Sequence, residues 1–460
     1  MNIPNAARLA VSLPWARQIP WRIALPMACL CAAMSGCTTY QAQPINPETE
    51  AAAFEAHSLG PGPWTLARLQ AEAERHHPDA DIALAKRKAA DAAAIAAGAR
   101  ANPTLSTSAQ KNTSAEPGAH AWTYTLGLDF PLETAGMRDY RAAQAAWQAR
   151  SAAYAQADAL WHIRAHVREA YIGSYPLQGL AQERQAIREQ LLKETQRRLA
   201  AGMVASDETL QARLAAKQAV LSAEEARQRR LDSLRKLAAA VGVPAHALDG
   251  TGLAFADLAD EVLPDAARIG QASKSALQSR PDVLAALAEY EASQANLQLE
   301  IARQYPDITL GPGYSWDAGA LKWSLGLSLA LPLFDRNQGA IAQAEAKRQE
   351  AAATFRSVQA QAIADIGDAL AAYSQAKQML ALVQGMAVDQ GSRLRSTQLA
   401  FKAGAVDRLA MLEAQLEASL AESRRIEALL EAHRAAGRLE DALRQPLSPS
   451  PSSLEPKGQP

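Results

Sequence analysis

Hydrophobic and polar residues alternate along the segment 304–331. Trp323, Leu325, Leu327, Leu329 and Leu331 fall on one face of an extended strand, and Ser324, Gly326, Ser328 and Ala330 fall on the other. The run before it alternates in the same way, with Ile308, Leu310, Tyr314 and Trp316 opposed to Thr309, Gly311, Gly313 and Ser315. The short DAGAL connection between the two runs predicts a hairpin turn. After Pro332 the period becomes helical and stays so for about sixty residues.

An altered copy precedes it. Leu105 to Gln110 is followed by Trp122, Tyr124, Leu126, Leu128 and Phe130, alternating with Thr123, Thr125, Gly127 and Asp129 and ending on Pro131. Pro78, Asp79, Leu84, Arg100 and Pro103 match Pro281, Asp282, Leu287, Arg303 and Pro306 at a shift of 203. Trp122 and Pro131 match Trp323 and Pro332 at 201, and Gly202 matches Gly404 at 202. So many coincidences at nearly one offset predict an internal duplication.

Strands of about nine to eleven residues with one apolar and one small or polar face have the length and pattern of membrane-spanning β-strands. Four of them are too few to close a barrel, and an open edge in lipid leaves backbone groups unpaired at several kcal/mol each. Several copies pooling their strands under rotational symmetry resolve the conflict. The rival reading is a pair of soluble hairpins on a helical protein.

Helical periodicity fills most of the rest. It is expected from Trp64 to about Arg100 with a break at His77-Pro78, and from about Arg138 to Ala200 with a break near Gly173 and Pro176. It resumes from about Gly339 to Ala400. At 1.5 Å per residue, a sixty-residue helix extends on the order of 90 Å. Each long helix ends in a glycine turn, RRLAAGMVASDETLQARL at 197–214 and LAFKAGAVDRLAMLEAQL at 399–416, and a returning helix follows to about Val241 or Leu443. Glycine ends the first helix of each turn, and Ser206 or Asp207 is the expected cap of the helix after the first.

The boundaries that follow are an export signal over 1–36, an arm over 37–63 expected to be extended, and a first repeat over 64–242 with its strand pair near 102–131. A connecting segment over 243–268 leads to a second repeat over 269–445 with its strand pair near 305–332. The tail, 446–460, reads as disordered from its composition. The fold class is mainly α with a small transmembrane β part.

Composition adds little to this picture and contradicts none of it. The 460 residues are 48% hydrophobic and only 5% aromatic, with a formal net charge of −1, so no charge argument favours nucleic acid. The N-terminus changes the picture more. Arg8, Arg17 and Arg22 precede the apolar IALPMACLCAAMSG, which runs to Cys37. Ser35 and Gly36 before a cysteine look like a lipoprotein cleavage box, although Met34 stands where leucine is usual. Cleavage there makes Cys37 the lipidated first residue, and Thr38 after it points to the outer membrane.

Chemistry is sparse. The sequence holds no GxSxG, phosphate-binding loop, HExxH or paired-cysteine pattern, so no catalytic residue and no cofactor are expected. His162 and His166 stand four apart on a helix, a spacing that suits a shared metal, but no third histidine or cysteine is near in sequence. A surface or structural role is expected, and no metal site is assigned. The pair His76-His77 is read as a surface pair.

Residues 64–443 resemble the outer membrane factor family, the TolC-like channels of bacterial tripartite efflux and secretion systems. The resemblance rests on the duplication, both strand pairs, RPD at 280–282, LPLFDRNQG at 331–339 and the two glycine turns. It implies a homotrimer whose four strands per chain form a twelve-stranded barrel in outer-membrane lipid, continued by a coiled-coil-like helical barrel across the periplasm. Pro131 and Pro332 mark the strand-to-helix transition. The turns at Gly202 and Val204 and at Gly404 and Val406 become the periplasmic entrance, where a membrane fusion (adaptor) protein docks and an inner-membrane pump of the resistance-nodulation-division (RND) type delivers cargo. Glu208 and Glu413 match acidic entrance positions of the family, but Ala410 occupies a third, so any carboxylate ring is thin. The stretches RPDVLAALAEYEASQANLQLEIARQYPDITL and LPLFDRNQGAIAQAEA look most like the branch that exports heavy metals.

The expected function is a passive exit duct for heavy-metal cations. Its rivals are a duct for drugs, solvents or type I secreted proteins and, from another class, a periplasmic coiled-coil structural lipoprotein without a pore. A peptidoglycan-processing lipoprotein enzyme ranks third.

Overall fold

The computed structural model describes residue 38 and residues 40–113, 121–259, 263–317 and 319–447. The export signal, Cys37, most of the first hairpin connection and the tail beyond Leu447 lie outside the described residues. The chain divides into two compact units, Met1–Ala56 and His57–Pro460. In the first unit the arm is not extended throughout, as composition suggested. It carries α1 (Pro47–Glu55), which starts because Pro47 sits at its first position and Asn46 accepts the Glu48 amide at 3.0 Å. Three alanines then favour continuing the helix.

In the second unit, β1 (Thr104–Lys111), β2 (Trp122–Leu132), β3 (Ile308–Asp317) and β4 (Ala320–Leu329) form one antiparallel sheet in the order β1-β2-β3-β4. The two hairpins therefore lie side by side, joined through β2 and β3. The register keeps like faces together: Leu105 opposes Leu128, Leu126 opposes Tyr314, and Tyr314 opposes Trp323. The alternation in the sequence is thus carried across all four strands.

The helices are α2 (Leu66–His76), α3 (Pro78–Gly98), α4 (Met137–Gly173), α5 (Gln178–Ala200), α6 (Ser206–Val241), α7 (Ala256–Ala259), α8 (Ala266–Ser279), α9 (Pro281–Ala302), α10 (Gln338–Lys402) and α11 (Arg408–Leu443). The break expected near Gly173 and Pro176 separates α4 from α5, whereas α10 runs through 65 residues without one. Small residues let the long helices approach closely: Ala362, Ala432 and Ala435 are fully buried.

The connecting segment is packed, not loose. The Tyr171 hydroxyl on α4 donates to Asp257 Oδ1 at 2.7 Å and also contacts the Ala254 carbonyl, and the Phe255 ring lies 5.0 Å from that of Tyr171 and 5.4 Å from that of Tyr175. Burial, reinforced by the Asp257 carboxylate, pushes the Tyr171 hydroxyl well above the ordinary phenol range, so it stays a neutral donor. Trp64 joins the same core, donating its backbone amide to Gly252 O at 2.8 Å and its indole N–H to Gly60 O at 2.9 Å.

Two arginines tie the bundle. Arg168 on α4, 8% exposed, donates to Gly437 O at 2.9 Å and Glu440 Oε2 at 3.1 Å on α11, and pairs with Asp441. Arg280, from the RPD motif, makes two bonds to Asp282 at 3.0 and 2.6 Å and donates to the Ala442 carbonyl at 2.5 Å. The packed chain reaches Leu447, the second residue of the expected tail. Leu447 is 1% exposed, and its amide donates to Glu440 Oε1 at 2.8 Å.

Candidate functional site

The sheet has an apolar face and a small polar face, and both are uncovered. Trp323 and Leu325 on the apolar face are 80% and 67% exposed, an arrangement unfavourable in water but natural against hydrocarbon. Aromatic rings gather toward the hairpin connections. The Trp122 and Tyr124 rings are stacked 5.9 Å apart, and Tyr124 lies 5.9 Å from Trp316. This belt of amphipathic rings is characteristic of a membrane interface.

The polar face is crowded. A Cβ on Gly127 would stand 2.6 Å from Ser106 Oγ, one on Gly313 2.8 Å from Ser324 Oγ, and one on Gly311 2.9 Å from Asp129 Oδ1. The glycines on this face therefore leave room for the serine and aspartate side chains beside them. Its two edges, β1 and β4, have no strand partner among the described residues. At roughly 3.4 Å per residue, ten-residue strands reach about 34 Å, enough to cross hydrocarbon at a tilt.

Pro131 is the penultimate residue of β2, opposite Thr309, and Pro332 lies between the end of β4 at Leu329 and the start of α10 at Gln338. The chain enters each helix through a left-handed residue, Gly136 (φ +73°) before α4 and Asn337 (φ +64°) before α10. The Asn337 side chain donates to Glu300 O at 2.8 Å, which anchors this strained position to α9. Near the first transition, Arg141 pairs with Glu133 and donates to the Ala97 carbonyl at 2.9 Å, fixing the end of α3 beside the foot of β2.

At the far end the two glycine turns are built alike. Gly202 (φ +69°) and Gly404 (φ +74°) are left-handed. The amide after each reaches back around the turn, Met203 to Arg198 O at 2.8 Å and Ala405 to Ala400 O at 2.9 Å. Val204 and Val406 are half-buried within them. Capping differs from expectation. Asp407 caps α11, accepting the Ala410 amide at 2.9 Å, but neither Ser206 nor Asp207 caps α6: Ala205 holds the cap position, and Asp207 accepts from Gln211 Nε2 at 2.8 Å. Sequence reasoning missed the contact that joins the turns, Arg198 Nη2 to Asp407 Oδ2 at 2.7 Å. Below it, Ile187 and Leu191 on α5 pack with Leu412 and Leu416 on α11.

Glu208 and Glu413 are both exposed, on different helices. His162 Nε2 lies 3.3 Å from Asp158 Oδ2 and 3.2 Å from Arg444 Nη2, so an ion-pair network engages it, and His166 is exposed. His76 is exposed and His77 half-buried. His77 Nδ1 accepts the Asp79 amide at 3.1 Å and caps α3, while His76 faces Glu72 beside His57.

The model of the family described as outer membrane efflux protein matches this chain twice, over residues 69–243 and 272–443. The cobalt-zinc-cadmium resistance protein CzcC of Cupriavidus metallidurans is 31% identical over 241 residues, 50% of this chain and 55% of that protein. Outer membrane protein OprJ of Pseudomonas aeruginosa is 27% identical over 157 residues, 32% of this chain and 33% of that one. The chain thus spans 55% and 33% of these relatives' lengths. The outer membrane protein VceC of Vibrio cholerae superposes with a TM-score of 0.67 at 22% identity, covering 83% of this chain and 97% of VceC, and so shares its fold. With both helical halves matched by one family's model and its four-stranded sheet set on long helices, the chain belongs to the outer membrane efflux protein family.

Proposed function

We propose that three copies of this chain form an exit duct in the outer membrane. The observation that carries the reading is the sheet: four strands of membrane-spanning length, with one exposed face of lipid-compatible side chains and both edges open. Joining β4 of one copy to β1 of the next satisfies every edge and yields a closed twelve-stranded cylinder. The paired left-handed residues Gly136 and Asn337, Gly202 and Gly404, and Gly242 and Arg444, at shifts of 201 and 202, support a duplicated chain in which each half supplies one hairpin and one helical turn.

In this reading the glycine turns are the periplasmic entrance. An adaptor protein docks on Gly202, Val204, Gly404 and Val406 and separates the helix ends, and an inner-membrane RND-type pump supplies cargo and energy. Glu208 and Glu413 place exposed carboxylates near that mouth. Cys37 carries lipid that tethers the arm. Heavy-metal cations are the favoured cargo, supported by the similarity to CzcC.

The test is reconstitution of the purified mature protein. An SDS-resistant trimer that conducts in planar bilayers supports the duct; a monomer or a non-conducting coiled coil rejects it. Deletion followed by growth on zinc, cobalt and cadmium tests the cargo. Unchanged tolerance to all three, with heightened drug sensitivity, reassigns it to drugs.

A further inference from the structure

The inner face of the sheet carries very little charge, and its distribution is uneven. Among the described residues its ionisable side chains are Asp129, Asp317 and Lys322; Lys111 belongs to the outer face, opposite Trp122. Asp317 is neutralised where it stands, by Lys322 Nζ at 2.8 Å and the Thr123 hydroxyl at 2.8 Å. Among the described residues Asp129 has no ion-pair partner.

Its surroundings magnify that charge. Asp129 opposes Thr104 on β1, and on the other side it lies level with Gly311 on β3, which opposes Gly326 on β4. Asp129 Oδ1 leans over Gly311, occupying the space a Cβ there would need. At this level the wall of each copy is therefore threonine, aspartate, glycine and glycine. Among the described residues no cationic side chain stands at that height, Thr104 supplying only a neutral hydroxyl opposite the carboxylate. The ladder between β2 and β3 lacks pairs at Leu128 and Asp129, because Pro312 on β3 has no amide to donate. The carboxylate thus stands beside a gap in the β2–β3 ladder, flanked by glycine on β3.

We propose that Asp129 sets the charge selectivity of the barrel bore, three copies forming one belt of carboxylates that favours cations over anions. The inference rests on the duct reading. Its mechanism is ordinary electrostatics: fixed negative charges in a low-dielectric wall enrich counter-ions locally, an effect that screens over about 10 Å at 0.1 M salt. The level of Asp129 is distinct from the entrance, where Glu208 and Glu413 stand.

The experiment is the reversal potential of single channels of the full mature protein in planar bilayers under a KCl gradient. Wild type should prefer potassium to chloride by more than about twofold, and Asp129→Asn should bring that ratio to about one with conductance retained. Asp129→Glu should keep the preference, which shows that charge, not a disturbed barrel, is responsible. An unchanged ratio in Asp129→Asn, or a ratio abolished by Glu413→Gln instead, overturns the proposal. Wild-type protein that does not conduct at all overturns the duct reading itself.

Discussion

Arg198 Nη2 lies 2.7 Å from Asp407 Oδ2, and this pair, 209 residues apart in sequence, joins the two turns. Asp407 has two tasks, since its other carboxylate oxygen caps α11 at the Ala410 amide. The variants separate them. Asp407→Asn keeps an acceptor for the cap and removes the charge, whereas Asp407→Ala removes both. Hydrogen exchange at 400–412 should rise modestly in Asp407→Asn and Arg198→Ala and most in Asp407→Ala. Equal protection in all four proteins would show that the pair does not hold the turns together.

The same pair predicts a pH response. The Ala410 amide and then Arg198 hold the Asp407 carboxyl below the usual carboxylate range. A depressed folded-state pKa contributes stability that is present above the unfolded value, about 3.9, and is lost as pH falls through the folded value. The turns should therefore be equally protected from pH 8 to 5 and loosen only below about pH 4. Protease cleavage at the turns as a function of pH reads this directly, and a transition near pH 6 would point to another group.

Gly437 predicts a packing limit in the bundle. A Cβ there would meet Arg168 Nε at 2.4 Å while Arg168 is held by Glu440 and Asp441. Gly437→Ala should cost about 1–3 kcal/mol through overpacking, despite alanine's better helix propensity. Thermal unfolding of the variant checks it. A raised melting temperature would mean that the arginine moves aside freely.

The two sheet faces predict opposite tolerances. Leu325→Arg places a charge on the apolar face and should lower assembly by about 2–4 kcal/mol if that face meets the middle of the bilayer. Ser324→Arg, one residue away on the polar face, should assemble but conduct less. Recovery of trimer from membranes distinguishes them, and equal recovery of both would remove the lipid-facing assignment.

Much of this was legible in sequence because local periodicity carries it. The alternation from Trp122 to Phe130 and from Trp323 to Leu329 reads directly as two-faced strands, and Gly202 and Gly404 announce their turns. What escaped notice depended on distant or competing contacts. Arg198 meets Asp407, and Arg168 meets Gly437, across separations that no window of sequence spans. Pro131 sits one residue before the end of β2, where proline is tolerated, but the left-handed Gly136 that leads into α4 has no signal in the strand pattern. Asp207 misled because a good capping residue one place inside the helix bonds Gln211 and not the backbone. The arm was read as extended from its prolines, yet Pro47 is placed where proline starts a helix.

Within one chain β1 and β4 are separated by two intervening strands, about 14 Å at ordinary strand spacing, beyond the reach of a disulfide. A chain with Thr107→Cys on β1 and one cysteine stepped through Trp323, Leu325 and Leu327 on β4 should, on oxidation in membranes, give a covalent trimer on a non-reducing gel in at least one register. Monomer in every register would contradict the closed cylinder.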